Sequence, residues 1–512
     1  MRVLACADVG FLIEVDGLPE VLALAAAVHD ADLPGVLDVV PAARTLLVTT
    51  SSGADLPFLR RRVHELGESA RPVDAAADGT AGGTAVTIEV VYDGPDLDEV
   101  GELTGLGADG VVEAHSARPW RVGFGGFAPG FAYLAGGDRR LEVPRRSEPR
   151  TAVPPGSVGL AGEFSAVYPR SSPGGWQLIG RTAATLWDET RDPPALLHPG
   201  DSVRFVAVPD VERSERSPVG TPEVEPGGVL EIVATGPLAL LQDRGRTGLA
   251  TSGVGRSGAA DRAALGLANR LVANPEDAAA IEVVLGGLAV RAHRLLTVAL
   301  TGAPAPADVD GTPVGHNAVL TLRPGQLLRL GVPPVGLRTC LAVRGGITAA
   351  AVLGSRATDV LSGIGPAVLR AGQRLPVGSE PSDFPIVDVA PVRLPTGDTV
   401  TLRAVPGPRA DWMQDASALT RTVWTASSRS DRVGMRLEGD PLQRRDLGEL
   451  PSEGMVRGAV QVPPGGEPVV FLADHPVTGG YPVVAVLLDA DADVAAQVRP
   501  GQQVRFRFVP AP

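Results

Sequence analysis

Lysine is missing from this chain: all 46 basic residues among its 512 are arginine. A phosphate-binding P-loop needs its lysine at the phosphates, so a Walker-type ATP site is excluded. Schiff-base chemistry and covalent biotin attachment need a lysine amine and are excluded with it. A GC-rich genome that swaps lysine for arginine would explain the absence, and the chemical exclusions hold whatever its cause. Cysteine is scarce as well. Cys6 and Cys340 lie in different regions and give neither a disulfide framework nor a metal-ligand pattern, so no metal site is expected. Long apolar runs are absent; the longest near the start, residues 21–28, falls far short of a membrane span. The opening MRVLACADVGFLIEVD carries Asp8 and Glu14 where a signal peptide would be apolar, so a cytoplasmic protein without membrane contact is expected. A formal charge of -13 speaks against a nucleic-acid binder, because phosphate neutralisation supplies most of that affinity.

What is present is glycine (63) and proline (47), which favour many short strands joined by turns. With 44% apolar residues the chain reads as globular, and its length implies about three domains. LIEVD, PEVLALAAAVHDA, VLDVVP, TLLVTT and DLPFLRRRVHEL alternate strand-like and helix-like patterns, giving a small α/β domain over 1–82. Residues 68–84 read as its exit linker. TIEVVY opens a barrel-type unit over 83–210, and the charged, proline-rich VERSERSPVGTPEVEPGG marks a linker at 211–227. A second module, 228–512, holds two barrel-like units. The fold class expected is mostly β, with β-barrels in tandem behind an N-terminal α/β domain.

Internal echoes carry the tandem reading. HPGDSVRFVAVP (198–209), RPGQLLRLGVPP (323–334) and RPGQQVRFRFVP (499–510) each place a Pro-Gly turn before an alternating strand, with Arg204, Arg329 and Arg505 at equivalent places. Upstream, 153–180 and 462–487 each show a VPPG turn, a strand and then Gly-Gly before an aromatic. Chance recurrence of Pro-Gly turns is the bland alternative; two echoes in the same order favour duplicated barrels.

The most unusual stretch is GFGGFAPGFAYL (123–134). Aromatics are 4% of the chain, yet Phe124, Phe127, Phe131 and Tyr133 crowd into it. Two readings stay open: a barrel corner where glycine relieves crowding, or a pocket with ring walls and bare amides. VVEAHSARPWRV before it alternates like a strand, and His115, which ends its apolar pattern, is a candidate catalytic group or a packed histidine. The arginines that follow, up to Arg150, suit carboxylate or phosphate capture or are solvated charge. His475, beside Asp474 and a Gly-Gly loop, is a similar candidate. In the second module Gln242, Asp243, Arg244 and Arg246 precede a glycine-rich loop and a helix pattern over 259–272, with Asp261 in its first turn. No Gly-x-Ser-x-Gly elbow, HExxH or paired CxxC occurs.

GFGGFAPGFAYL, EVPRRSEPRTAVPPGSVGLAG and YPRSSPGGWQLIGRT resemble the allophanate hydrolase subunit 1 family, also known as the B component of bacterial 5-oxoprolinase. LLQDRGRTGLATSGVGRSGAAD, AAAIEVVLGG, SEGMVRGAVQVPPGGEPV and TGGYPVVAVL resemble the allophanate hydrolase subunit 2, or 5-oxoprolinase C, family. The resemblance implies cyclophilin-like barrels and a component of an ATP-dependent 5-oxoprolinase. That enzyme opens the 5-oxoproline lactam to glutamate with a separate A-type subunit. It also implies two alternatives: a carboxyltransferase for urea or another small amide, with biotin carried on another chain, and a kinase-inhibiting regulatory protein. ATP would enter through the complex, and an oligomeric assembly is expected. Carried over by the matching motifs are substrate-binding roles for Phe127, Pro129, Gly130, Ser157 and Trp176, and a catalytic role for Arg150. Gln242 and Arg246 are carried over as substrate-binding and Asp243 as catalytic. The segment before Gly-Gly-Tyr-Pro departs from the family, with Val477 where a polar residue is usual.

Overall fold

The computed structural model describes residues 1–71, 83–148, 150–211, 228–383, 387–395 and 397–511; all but Val211 of the expected linker at 211–227, and most of 68–84, lie outside the described residues. Strand makes up 34% and helix 16%, so the chain is mostly β.

The N-terminal unit is a four-stranded antiparallel sheet in the order Arg2–Cys6, Gly10–Glu14, Thr45–Thr50, Val36–Pro41. Its first strand was not legible in the alternation of the sequence. Helices Leu18–Asp30 and Leu56–Ser69 start with a proline in the first turn and bury Val21, Leu24 and Val28, and Leu56, Leu59 and Val63. These pack with Phe11, Ile13, Leu46 and Val48, which share one face of the sheet by the two-residue alternation of a strand. The opposite face, with Leu12 and Leu47, packs against Met455, Phe471 and Val486 of the C-terminal barrel.

Residues 107–117 form a helix, correcting the strand expected there. Val111, Ala114 and His115 lie at helical spacing on one buried face, and Gly105 and Gly107, both with positive φ, set the turn before it. The strand begins only at Trp120–Gly125.

The first barrel runs, neighbour to neighbour, Gln177–Arg181, Ser157–Ala161, Phe164–Val167, Ala132–Ala135, Trp120–Gly125, Ser202–Ala207, Ala85–Val90. A bridge closes it: Val91 and Arg181 exchange backbone hydrogen bonds of 2.9 and 2.8 Å. The C-terminal barrel repeats that strand order: Val483–Leu487, Ala459–Gln461, Val469–Phe471, Gly434–Glu438, Trp424–Ala426, Gln503–Phe508, Val400–Pro406. In each, the strands that come first and last in the chain, Ala85–Val90 with Ser202–Ala207 and Val400–Pro406 with Gln503–Phe508, are the one parallel pair of the barrel. Arg204 and Arg505 occupy matching exposed positions, as their echo implied.

The VPPG echo is displaced. In the first barrel VPPG precedes the strand Ser157–Ala161, whereas in the second it follows the topologically matching strand Ala459–Gln461. Pro-Gly turns fit any tight reversal, so their recurrence carries little register information. The Gly-Gly-aromatic echo is in register, ahead of Gln177–Arg181 and Val483–Leu487. The third Pro-Gly copy lies elsewhere: Leu327–Leu330 belongs to a six-stranded sheet that shares one core with a five-stranded sheet, through Leu230, Ile281, Val298, Leu328 and Leu341.

Candidate functional site

The glycine-aromatic loop answers the question its composition poses. Phe124, Phe131, Tyr133, Phe164, Tyr168 and Trp176 form one interlocked cluster, with Phe131 2% and Trp176 6% exposed. The bare backbone serves the second half of the chain. A Cβ on Gly125 would strike the Thr251 carbonyl, one on Gly126 the Thr478 side chain, and one on Gly253 the Ala128 carbonyl. Gly130 N–H donates to Ser252 O at 3.1 Å, and Phe127 N–H donates to Thr478 Oγ1 at 2.9 Å. The loop is where the two halves meet backbone to backbone.

That placement corrects the pocket reading. Phe127 is half-buried against Phe131, Pro129 and Gly130 are buried, and Ser157 lies in the barrel wall, 7% exposed. Arg150 is bound to the buried Asp96 at 2.7 Å, beside Arg146 at 2.8 Å, while Asp96 also accepts the Leu178 N–H at 2.7 Å. It clamps the barrel rim. His115 is fully buried, with Nδ1 2.7 Å from the Tyr92 hydroxyl, Nε2 2.8 Å from Ser165 Oγ and its ring on Phe205. Burial pushes its pKa down to about 3, so it is a neutral core histidine with both nitrogens spent. Asp243 is consumed by its loop, accepting from Gly245 N, Ser355 Oγ and Arg356 N. Gln242 donates to Thr358 O, and Arg246 donates to Val352 O and Ala357 O. The structure thus separates the three catalytic candidates, and none of the ten expected site residues lines the cavity that follows.

This cavity, about 550 Å³, opens at the junction of three units. Asp8, Asp38, Thr49–Ser51 and Gly53 come from the N-terminal sheet, Arg244, Arg256 and Arg262 from the second module, and Arg457, His475, Val477, Asp489 and Asp493 from the C-terminal barrel. Four arginines face four aspartates, but the aspartates are largely spent. Asp8 accepts the Asp489 N–H, and Asp38 accepts the Ala250 N–H. Asp493 takes the Arg262 and Ala263 N–H groups at the start of helix Arg262–Leu271, and with Asp489 it pairs Arg457. Arg244 pairs with Glu276. Arg262 keeps only a 3.5 Å approach to Asp489, and Arg256 donates its Nε to the Arg244 carbonyl. Among the described residues the terminal nitrogens of Arg256 meet no protein acceptor.

The charges register this imbalance. Burial, then the neighbouring Arg457 and Arg256, push the Arg262 pKa well below its ordinary value. Burial also lowers Arg256; the charge of Asp489 opposes this, and Arg457 and Arg244 add to it. Burial would raise Asp489, but Arg457, Arg262 and Arg256 override it and hold its pKa low. Two desolvated guanidiniums short of anions make a seat for a carboxylate or phosphate group. Under it lies a buried network. Arg432 Nε donates to Asp474 Oδ2 at 2.9 Å, and Arg432 also pairs with Glu282 and donates to Gly258 O. Asp474 accepts Ser257 Oγ at 2.7 Å and Glu282 the Ala260 N–H at 2.8 Å, which fixes the loop carrying Arg256 and Arg262.

Of the cavity's polar side chains, sequence reasoning had singled out His475 and Arg244. Arg256 and Arg457 were inside quoted motifs, and Arg262 directly followed the first of these. Asp489 and Asp493 carried a signal of their own, two carboxylates four apart on the helix Asp489–Ala495.

Residues 1–197 match the family described as carboxyltransferase domain, subdomain C and D, and residues 252–508 match carboxyltransferase domain, subdomain A and B. The chain is 40% identical over 284 residues to the C component of Escherichia coli K12 5-oxoprolinase, covering 54% of this chain and 90% of that protein. It is 41% identical over 179 residues to the B component of Escherichia coli O157:H7 5-oxoprolinase, covering 34% and 79%. The crystal structure of TTHA0988 superposes with a TM-score of 0.86 at 33% identity, over 98% of this chain and 100% of that one. The chain therefore belongs to the carboxyltransferase-domain family, with a half of the 5-oxoprolinase B type followed by one of the C type in a single polypeptide.

Proposed function

We propose that this chain supplies the B and C components of an ATP-dependent 5-oxoprolinase. It works with a separate A-type subunit to open the lactam of 5-oxoproline to glutamate. The observation that carries the reading is the anion seat of Arg256 and Arg262, in a cavity that neither half forms alone. 5-Oxoproline has a carboxylate for that seat and a small planar ring that fits the volume. The arginines also fit a phosphoryl group, and ATP, when bound in the complex, would supply the energy of ring opening. With no lysine and no P-loop in the chain, the nucleotide's phosphates are held by arginine or by the partner.

The chain's own part is to orient the substrate, to stabilise oxyanion charge with fixed guanidiniums, and to exclude water where the halves close. Mixing the purified chain with an A-type subunit, ATP and 5-oxoproline should release glutamate, and Arg256→Ala should abolish most of it. A soluble complex that releases none contradicts the reading. A second reading, carboxyl transfer to a small amide, is favoured by the family's own description. It requires carboxybiotin on another chain, and urea-dependent turnover of supplied carboxybiotin would replace the first reading.

A further inference from the structure

We propose that the site selects a carboxylate-bearing cyclic amide by its N–H: the anion sits between Arg256 and Arg262, and the amide N–H is donated to Nε2 of His475. This rests on reading the cavity as the 5-oxoproline site. Nδ1 of His475 lies 2.8 Å from the Pro476 carbonyl oxygen. A carbonyl can only accept, so the ring proton is on Nδ1 and the lone pair is on Nε2. Burial pushes the histidine pKa down to about 4, which keeps that neutral tautomer in place at physiological pH. The ring is held by stacking on Phe471, with centroids 6.1 Å apart. Its neighbour Asp474 is locked by Arg432 and Ser257. Among the described residues Nε2 has no protein partner, and His475 lines the cavity.

The rest of the polar lining matches an amide N–H less well. The arginines only donate. The aspartates already accept from backbone N–H groups and Arg457, and their negative charge repels the ligand's own carboxylate. The hydroxyls of Thr49, Thr50 and Ser51 give their protons to backbone carbonyls. His475 Nε2 is a neutral acceptor that carries no hydrogen bond among the described residues. Accepting the lactam N–H pushes electron density toward the lactam oxygen, the atom at which such an amide is activated. A ring without the N–H leaves the acceptor unsatisfied, and a neutral amide leaves the anion seat empty.

Titration calorimetry on the full chain tests this with two ligands: 5-oxoproline, and 3-oxocyclopentane-1-carboxylate, in which CH2 replaces the N–H. Wild type should prefer 5-oxoproline by about tenfold. His475→Ala should erase that ratio, His475→Gln, which keeps an acceptor oxygen, should restore part of it, and Arg256→Ala should weaken both ligands and keep the ratio. A folded His475→Ala protein, judged by an unchanged Tm, that retains the preference overturns the assignment and leaves the cavity reading standing. Equal binding of the two ligands by wild type does the same. Binding of neither removes the 5-oxoproline reading and this inference together.

Discussion

At the scale of single residues, the deciding quantity is whether a charged group's partners are used up. Arg150 and Arg256 show the contrast. Arg150 gives its charge to Asp96, a carboxylate 2% exposed that also ties down Arg146 and Leu178 N–H. Arg256 is half-buried with no carboxylate in hydrogen-bond contact, and Asp489 reaches it only through its charge. Arg256→Ala should therefore cost roughly 1.5 to 3 kcal/mol in kcat/KM for a carboxylate substrate. Arg150→Ala should lower Tm and leave kcat/KM of the folded protein unchanged. Steady-state kinetics and a melting curve on each variant separate the two roles, and the reverse pattern would exchange them.

His115 makes a pH prediction. Its pKa falls from an ordinary 6.5 to about 3 on folding, because burial penalises the charged ring. Between those values the unfolded chain binds a proton that the folded chain refuses, so stability drops as pH falls below 6.5. His475, at about 4, acts in the same direction. The urea midpoint should fall between about pH 7 and about pH 5, and should fall less in His115→Gln. An identical fall in the variant would show that His115 does not contribute.

At the scale of elements, the legible ones were those with clear apolar spacing near two or near 3.6 residues, such as the helices Leu18–Asp30, Leu56–Ser69 and Arg262–Leu271 and the strands after the Pro-Gly turns, because that spacing fixes a buried face. The misread segment is instructive. VVEAH satisfies alternation over a few residues, but Val111, Ala114 and His115 satisfy helical spacing too, and only tertiary burial decided between them. The glycines of 123–134 were also half-legible. Their need for close backbone approach could be read from the sequence, while the identity of what approaches, Thr251, Ser252 and Thr478, lies more than a hundred residues away. Gly125→Val should force the halves apart. Scanning calorimetry should then show the single transition broaden or split, with loss of activity; an unaltered transition would contradict the contact. Arg432→Ala should cost about 3 to 5 kcal/mol, since it leaves Asp474 buried without its cation and Glu282 with only Arg338 at 3.6 Å. A denaturant titration showing less than about 1 kcal/mol would mean the network is dispensable.

At the scale of the molecule, the N-terminal sheet, the start of the second module and the C-terminal barrel close around a space none of them owns. The tandem architecture could be seen in the echoes, since strand pattern and turn chemistry are local properties. The site could not, because Asp38, Arg256, Arg457 and His475 converge only through the packing of separate units, and no local periodicity encodes that. Residues conspicuous by composition turned out to build the joint, and the groups facing the cavity were scattered and individually ordinary. The most direct measurement of the account is a crystal structure of the chain soaked with 5-oxoproline. Ligand density should appear between Arg256, Arg262 and His475; density beside Phe127 and Arg150 with the junction cavity empty would contradict it.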